Sequence, residues 1–544
     1  MGYLLMWVES LVGSVLLVAA ATAWGARRQG RRIRVLAPLV VGGAIFLKIA
    51  AFTAGAVYGT YVLATRPVWI AYTALWAAVY VAAVAVILVR GLRKRDAGEP
   101  AARKWPAGRL AVGAVVVMAL HVMTFWNMDL AAELQLAGLR AEGGALALSV
   151  APARVPDRAN AALVYQKAFD SINRFEGLPA EWGEVWSKWA MDPHGTRRDA
   201  SAAPVPPLNP ADPGLRQFLS DHARTVALLR QATSMPDCYF ERTWGRPGLD
   251  MLLPELILLR DSAVLLALDA RVKAAEGKAR EALADTDAIF RLADHTRGEP
   301  FLVGVLVAMT ADGIGYNLLE ALLADKGLGP ADLALIQISD APHRVAVMRA
   351  FLMEEAFGLS CFAMLGDQPE ALWNLSGQGG AGVSLAQPLM GTWRVFLMPE
   401  DLASYRRVMR RLQDAAAKPY FEYVKVRQET GGDLCRDDYG FLTRMIVPAV
   451  ARMLDKAAEA DAACLTARAA LAAAAYRADQ GKLPARLEDL VPEYLEAVPI
   501  DPFDGKPIRM AVAATGVVFY SIGEDLKDDG GSQEADVTFR LAAD

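Results

Sequence analysis

Residues 265–295 read LLALDARVKAAEGKAREALADTDAIFRLADH. Apolar side chains recur there at intervals of three and four on both sides of Glu276-Gly277-Lys278, the period of a helix with one buried face. Gly277 closes the first helix, because glycine alone takes a left-handed backbone at no steric cost. Ala282, Leu283 and Ala288 then pack the second helix against the first. The stretch is a helical hairpin, and it sets the fold class for what surrounds it.

Working outward, the same period predicts helices over 158–173, 215–233, 254–276, 278–296, 300–325, 330–338, 343–365, 399–428 and 441–479, with Gly or Pro at the joins. Alternating strand patterns are nearly absent from 155 to 480. The Pro-rich APVPPLNPADPG at 203–214 and the Gly-rich SGQGGAGVSLAQP at 376–388 are loops by composition. Beyond the Ala-rich helix, KLPARLEDLVPEYLEAVPIDPFDGKPIRM leads to a turn at Ala514-Thr515-Gly516 and then VVFYSIGEDLKDDGG. Apolar alternation on both sides of that turn predicts an antiparallel hairpin, 508–513 paired with 516–521.

The N-terminal end has another character. Four apolar segments, 3–24, 35–63, 69–89 and 110–126, each approach or exceed the roughly 17 residues that cross a hydrocarbon core. Lys and Arg near span ends stay on the cytoplasmic side. The loop after the first span carries Arg27, Arg28, Arg31, Arg32 and Arg34 without an acid, and the loop before the fourth carries seven basic residues against Asp96 and Glu99. The turn after the second span has only Arg66, and the exit from the fourth begins with Asp129 and Glu133. This pattern predicts a multi-pass protein of the cytoplasmic (inner) membrane, with both the N-terminus and everything after about residue 127 outside. The first span has no basic leader and is followed by Arg residues, the reverse of a secretory signal, so it is expected to be retained. Lys48 and His121 sit deep in spans, where ionisable groups are costly. With no carboxylate at similar depth they make a poor ion pathway.

The expected architecture is mainly α: a four-helix transmembrane region over 1–127, a large extracytoplasmic α-helical domain over 128–460, and a small C-terminal α+β module with an antiparallel hairpin over 461–544. Charge divides the same way. Residues 1–126 hold 14 Lys and Arg against 3 Asp and Glu, leaving 43 against 58 for the rest of a chain whose net charge is −4. An acidic domain without a basic stripe is repelled by phosphate backbones, so nucleic acid is excluded as a partner. The lipid bilayer is the first expected partner.

The C-terminal residues carry a resemblance. A helix running into Tyr476, then Gly481-Lys482-Leu483-Pro484, Leu487 with Leu490-Val491, Val498-Pro499, Asp501-Pro502-Phe503, Gly505-Lys506-Pro507 and Tyr520-Ser521-Ile522-Gly523 before an acidic loop resemble the C-terminal half of the G-type major pseudopilin of type II secretion. The match covers about 70 of the 544 residues. It implies calcium in the acidic loop, with Asp525, Asp528, Asp529, Asp536 and loop carbonyls as oxygen ligands; the plainer reading is a solvated turn in which the same acids cap backbone groups. The chain departs from the family at Asp504, which is extra, at Leu526, where the family has Gly, and in having no prepilin leader. The module is therefore expected to serve as a cap rather than as a pilin subunit. One hairpin, at Glu276-Gly277 and Glu281-Ala282-Leu283, resembles a tetratricopeptide unit, but no second copy follows at the required period. The whole chain also resembles uncharacterised membrane-anchored bacterial proteins, notably in ARVPDRANAALVYQKAF at 153–169.

No catalytic motif stands out. HExxH, GxSxG, Walker A and a strand-preceded GxGxxG are all missing, and His121, His194, His222, His295 and His343 are too dispersed for a zinc motif. Cys238, Cys361, Cys435 and Cys464 allow three disulfide pairings, although Cys361 and Cys464 lie on helices as buried thiols do. Glu354-Glu355 and Asp437-Asp438 read as polar stripe and loop. Trp182, Trp186 and Trp189, near Trp244, form an aromatic cluster of the kind that binds sugars or partners, but the favoured reading is that they fill a core. Two functions follow as expectations. The first is a non-enzymatic envelope scaffold or binding protein associated with envelope or secretion components. The second is an extracytoplasmic hydrolase or ligand-binding protein for a cell-wall or sugar ligand, with 182–189 and 376–388 bordering a cleft.

Overall fold

The computed structural model describes residues 134–170, 209–248, 251, 253–324, 327–367, 398–429, 440, 443, 450–513 and 516–542. The four expected spans, with Lys48 and His121, lie outside these residues, as do Trp182, Trp186, Trp189, Cys435, Asp437-Asp438 and the loop 376–388. The described chain is mainly helical, with one small antiparallel sheet of three strands at its C-terminal end. It forms two compact units: residues 142–359 with 401–544, and residues 1–141 with 360–400. In the described part of the second, Gly366 leaves room for the buried Leu136, whose Cδ2 a Cβ there would meet at 2.6 Å.

In chain order the helices are α1 (134–150), α2 (Ala161–Phe169), α3 (Pro213–Asp221), α4 (Ala223–Thr233), α5 (Pro254–Ala275), α6 (Ala279–Arg297), α7 (Leu302–Leu323), α8 (Pro330–Leu333), α9 (His343–Asp367), α10 (Met398–Ala416), α11 (Tyr420–Glu429) and α12 (Met453–Gln480). The strands are β1 (Arg509–Ala513), β2 (Gly516–Ser521) and β3 (Val537–Ala542), in the order β1-β2-β3.

The expected hairpin is α5 and α6. Gly277 stands at φ +74°, the Lys278 amide donates to the Lys273 carbonyl at 2.9 Å and the Gly277 amide to Ala274 at 3.0 Å, so the cap satisfies carbonyls the helix end would leave open. Ala282, Leu283 and Ala288 are buried as the pattern required. A four-charge cluster ties the pair to α4. Lys273 reaches Asp269 (2.9 Å) and Asp285 (2.7 Å), while Arg230 on α4 reaches Asp285 (2.6 Å) and also Asp269. Asp285 has no exposed surface, so truncating one of its partners would leave a buried charge uncompensated.

Helix α7 packs on both α5 and α6. A Cβ at Gly315 would collide with the Phe290 ring, so this glycine is what lets α6 and α7 approach. Among the described residues α7 is the one helix long and apolar enough to cross a membrane, and most of its apolar window is covered by protein. Against α7 lies α12, whose buried face is chiefly alanine (Ala457, Ala462, Ala467, Ala470, Ala473), which favours helix and permits close approach. Strands β2 and β3 lie on α12 in turn, and one continuous core runs from α2 through the helices to Phe519, Phe539 and Leu541.

Four of the expected helices differ over the described residues, the first of them 158–173, which opens as a 3-10 turn at Asp157–Ala159 and is α-helical only from Ala161, with Asn160 as its cap. The span 215–233 breaks at His222 into α3 and α4, although apolar spacing continues across the break. The span 399–428 breaks at Lys418-Pro419, because proline offers no amide hydrogen and clashes with the preceding turn. The span 330–338 shortens to one turn at Pro330–Leu333. The hairpin pairs as expected, Ala513 opposite Gly516 and Arg509 opposite Tyr520, and β3 adds a strand that the sequence pattern had not marked.

Candidate functional site

Asp312 is a carboxylate inside the most apolar helix of the described chain, and its neighbours explain how it survives there. Arg297 on α6 donates to it and to Asp294, and His343 Nε2 lies 2.9 Å away. The other imidazole nitrogen, Nδ1, meets Asp461 Oδ1 at 2.8 Å, and the His343 amide donates to the same oxygen at 2.7 Å. With a carboxylate at each nitrogen, both must carry hydrogen, so His343 is an imidazolium. Burial opposes that charge, but the hydrogen bonds to Asp312 and Asp461 outweigh it and push the imidazole up to about 9. Arg297, Asp312 and His343 are all nearly inaccessible. The chain of charges joins α6, α7, α9 and α12.

Asp461 is also the point where this network meets a concave surface. A cleft of about 230 Å³ opens between the start of α9, the α10–α11 join, the outer face of α12 and residues 500–502. Tyr420, Phe421, Pro342 and Leu465 give it an apolar lining; Arg344, Lys418 and Arg468 add positive charge, Asp340 negative. Tyr420 is fixed by donating to Asp455 (2.5 Å) and by an edge contact with Phe503. Cys464 borders the cleft, donating to the Ser339 carbonyl at 3.3 Å, and burial pushes its thiol up to about 12. A thiol held protonated, with both nitrogens of His343 engaged by carboxylates, makes no nucleophile and base pair.

The acidic loop is the other place where sequence-predicted ligands can be located. It bends through left-handed backbone at Gly523, Leu526, Gly530 and Gly531. The four acids divide their work. Asp525 accepts from the Lys527 amide (3.1 Å). Asp528 accepts from Gly530, from the Tyr520 hydroxyl (3.1 Å) and from Arg509 (3.1 Å). Asp536 Oδ2 accepts from the amides of Gly531 (2.7 Å) and Ser532 (3.1 Å), whereas its buried Oδ1 makes no hydrogen bond of normal geometry among the described residues. Burial pushes Asp536 up, against the lowering by the amides of Gly531, Asp529 and Ser532, and the Asp529 carboxyl adds to the rise. Among the described residues no three His, Cys, Asp or Glu side chains stand together as a metal-holding group. Asp504, the extra residue relative to the pseudopilin pattern, shares Arg509 with Asp501 and Asp528.

Other residues singled out by sequence have structural roles. Trp244 is buried, stacks on Phe301 with ring centroids 5.6 Å apart and donates to the Tyr239 hydroxyl at 3.2 Å. Among the described residues no disulfide forms; Cys464 is a buried thiol as its helical position implied, whereas Cys361, expected to be buried as well, is only half-buried. Glu355 accepts from Gln413 at 2.7 Å. Dispersed histidines gave no sign of the Arg297–Asp312–His343–Asp461 chain; the available signal was an aspartate in the apolar run LVAMTADGIGYNLL, a position that demands a cationic partner. Compared with known protein families, with characterised proteins and with solved structures, the chain has no match.

Proposed function

We propose that this protein is a membrane-anchored cell-envelope scaffold or binding protein, with its helical domain held by four N-terminal spans on the outer side of the cytoplasmic membrane. The observation that carries this reading is the double use of α12. One face of that helix packs in the helical core against α7 and α8, and the same helix bears β2 and β3. A pseudopilin-like module built this way is a fixture of the larger unit, suited to presenting a surface to envelope or secretion components.

The cleft supports binding rather than hydrolysis. Of its carboxylates, Asp461 is committed to His343, and Asp501 to Arg509, Ser521 and two backbone amides, which leaves the exposed Asp340 as a lone acid without a second carboxylate to work with. Calcium belongs to the proposal in a narrow form. The orphaned Oδ1 of Asp536 is one hard oxygen aimed into the protein, loop carbonyls would add others, and Asp528 joins them only by leaving Arg509.

Orientation is tested by reporter fusions in the native membrane, one after residue 127 and one in the basic loop near residue 100. Activity of a periplasm-dependent reporter at the first and of a cytoplasm-dependent reporter at the second is the expected outcome. The reverse pattern, or a cytoplasmic signal at both, would remove the envelope assignment.

A further inference from the structure

The charges around the α9–α12 cleft do not cancel. Asp461 is neutralised by the imidazolium of His343, and Asp501 has no exposed surface, its oxygens turned to Arg509, Ser521 and the amides of Phe503 and Ile522. What is left at the lining is Arg344, Lys418 and Arg468 against the exposed Asp340. Arg344 makes, among the described residues, only long hydrogen bonds, 3.4 and 3.5 Å, to the carbonyls of Ala417 and Ala416. Among the described residues neither Lys418 nor Arg468 has a carboxylate partner, and Arg468 is half-buried on α12. A half-buried guanidinium without an anion, beside an aromatic wall, lacks the counter-charge that protein interiors normally supply.

We propose that this cleft is a binding site for a small organic anion bearing one aromatic or branched apolar group. Its acid end is held by Arg468 and Lys418, and its body lies against Tyr420, Phe421 and Leu465. The volume sets the size. A cavity of roughly 150 Å³ takes one benzene, so about 230 Å³ takes a ring with a short acidic arm. A guanidinium gives a planar carboxylate two parallel hydrogen bonds, whereas an amine of the same shape meets like charge. Nothing in the scaffold reading requires this site, and that reading stands whichever way the test falls.

The test uses the full chain in lipid nanodiscs, with empty nanodiscs subtracted, titrated calorimetrically at neutral pH with phenylacetate, phenylacetamide and 2-phenylethylamine. These probes share a ring and differ in charge. Saturable binding of phenylacetate is expected, with the amide and the amine weaker by about tenfold or more. Arg468→Gln and Lys418→Gln should each weaken phenylacetate by about the same factor. Lys418 is exposed, so its variant tests the site even if Arg468→Gln fails to fold. Absence of saturation, equal binding of the three probes, or wild-type affinity in Lys418→Gln would each overturn the assignment.

Discussion

Arg509 Nη1 donates to Asp501 Oδ2 at 2.8 Å, joining the first residue of β1 to a carboxylate with no exposed surface. Asp501 Oδ1 also accepts from Ser521 Oγ (2.8 Å) and the Phe503 amide (2.9 Å), and Oδ2 from the Ile522 amide (3.1 Å). One aspartate of the Asp501-Pro502-Phe503 motif thus fastens the loop before β1 to the end of β2.

Replacing Asp501 leaves the Ser521 hydroxyl and the amides of Phe503 and Ile522 without their acceptor, while Arg509 keeps Asp504 and Asp528. Asp501→Ala is expected to cost about 3 kcal/mol or more, since each buried donor left unsatisfied costs about 1–3 kcal/mol. Chemical denaturation of the full chain in nanodiscs, followed by Trp fluorescence and by limited proteolysis of the module, measures it. A cost below about 1 kcal/mol would show that Ser521 and the amides of Phe503 and Ile522 find other acceptors.

His343 makes stability depend on pH. Its folded value, about 9, lies above the ordinary imidazole value of about 6.5. Below that ordinary value the folded and unfolded chains both carry the proton; between it and about 9 only the folded chain does. Stability is therefore full below about 6.5 and falls as pH rises through 9, by an amount on the order of 3 kcal/mol. Glu354, pushed up to about 7 by burial against a backbone hydrogen bond, adds a slope of the same sign at lower pH. Melting temperatures from pH 6 to 10 in wild type, His343→Gln and Glu354→Gln separate the two. A wild-type slope above pH 7 that persists in His343→Gln would refute the imidazolium.

Leu526 stands at φ +61°, in the region that disfavours a side chain by about 1–2 kcal/mol. It is also the position where the pseudopilin pattern has Gly. Leu526→Gly should stabilise the module by about 0.5 kcal/mol, the strain relieved less the entropy glycine adds to the unfolded chain. Leu526→Ala keeps the strain and loses the half-buried side chain, so it should destabilise. Denaturation midpoints decide, and destabilisation in both variants would mean that packing of Leu526 outweighs its backbone.

Calcium titrated into the full chain, beside a variant with Asp525, Asp528 and Asp529 changed to Ala, tests the acidic loop. Saturable binding lost in the variant is the expected outcome. Because Arg509 competes for Asp528, affinity should also fall as the loop acids protonate. No binding in either protein reduces the loop to a set of capped turns.

Local signals carried well into the fold. Gly277 ends α5 where its neighbours require, and the alternation around Ala514-Thr515-Gly516 gives β1 and β2 in register, because both depend on residues close in sequence. The breaks at His222 and Pro419 interrupt helices without interrupting apolar period. Strand β3 follows an acidic loop and gains its place by pairing with β2 and packing on α12, a long-range contact no local pattern encodes. The cleft and the Arg297–Asp312–His343–Asp461 chain gather residues from positions 297 to 502, so only the cost of burying Asp312 hinted at them. The acids of the terminal loop were visible as a group, but their division between Arg509, backbone amides and an unpartnered Asp536 oxygen depends on the folded turn.

The central claim, an outward-facing scaffold that meets a defined envelope partner, is tested most directly by photo-crosslinking in the native membrane. A photoreactive residue is placed at Val512 on β1, 67% exposed, and separately at Ile500, 50% exposed. The account predicts one and the same envelope protein captured from both positions, and its recovery with the uncrosslinked chain in mild detergent. Recovery of the chain alone from both positions, across several detergents and crosslinkers, would contradict it.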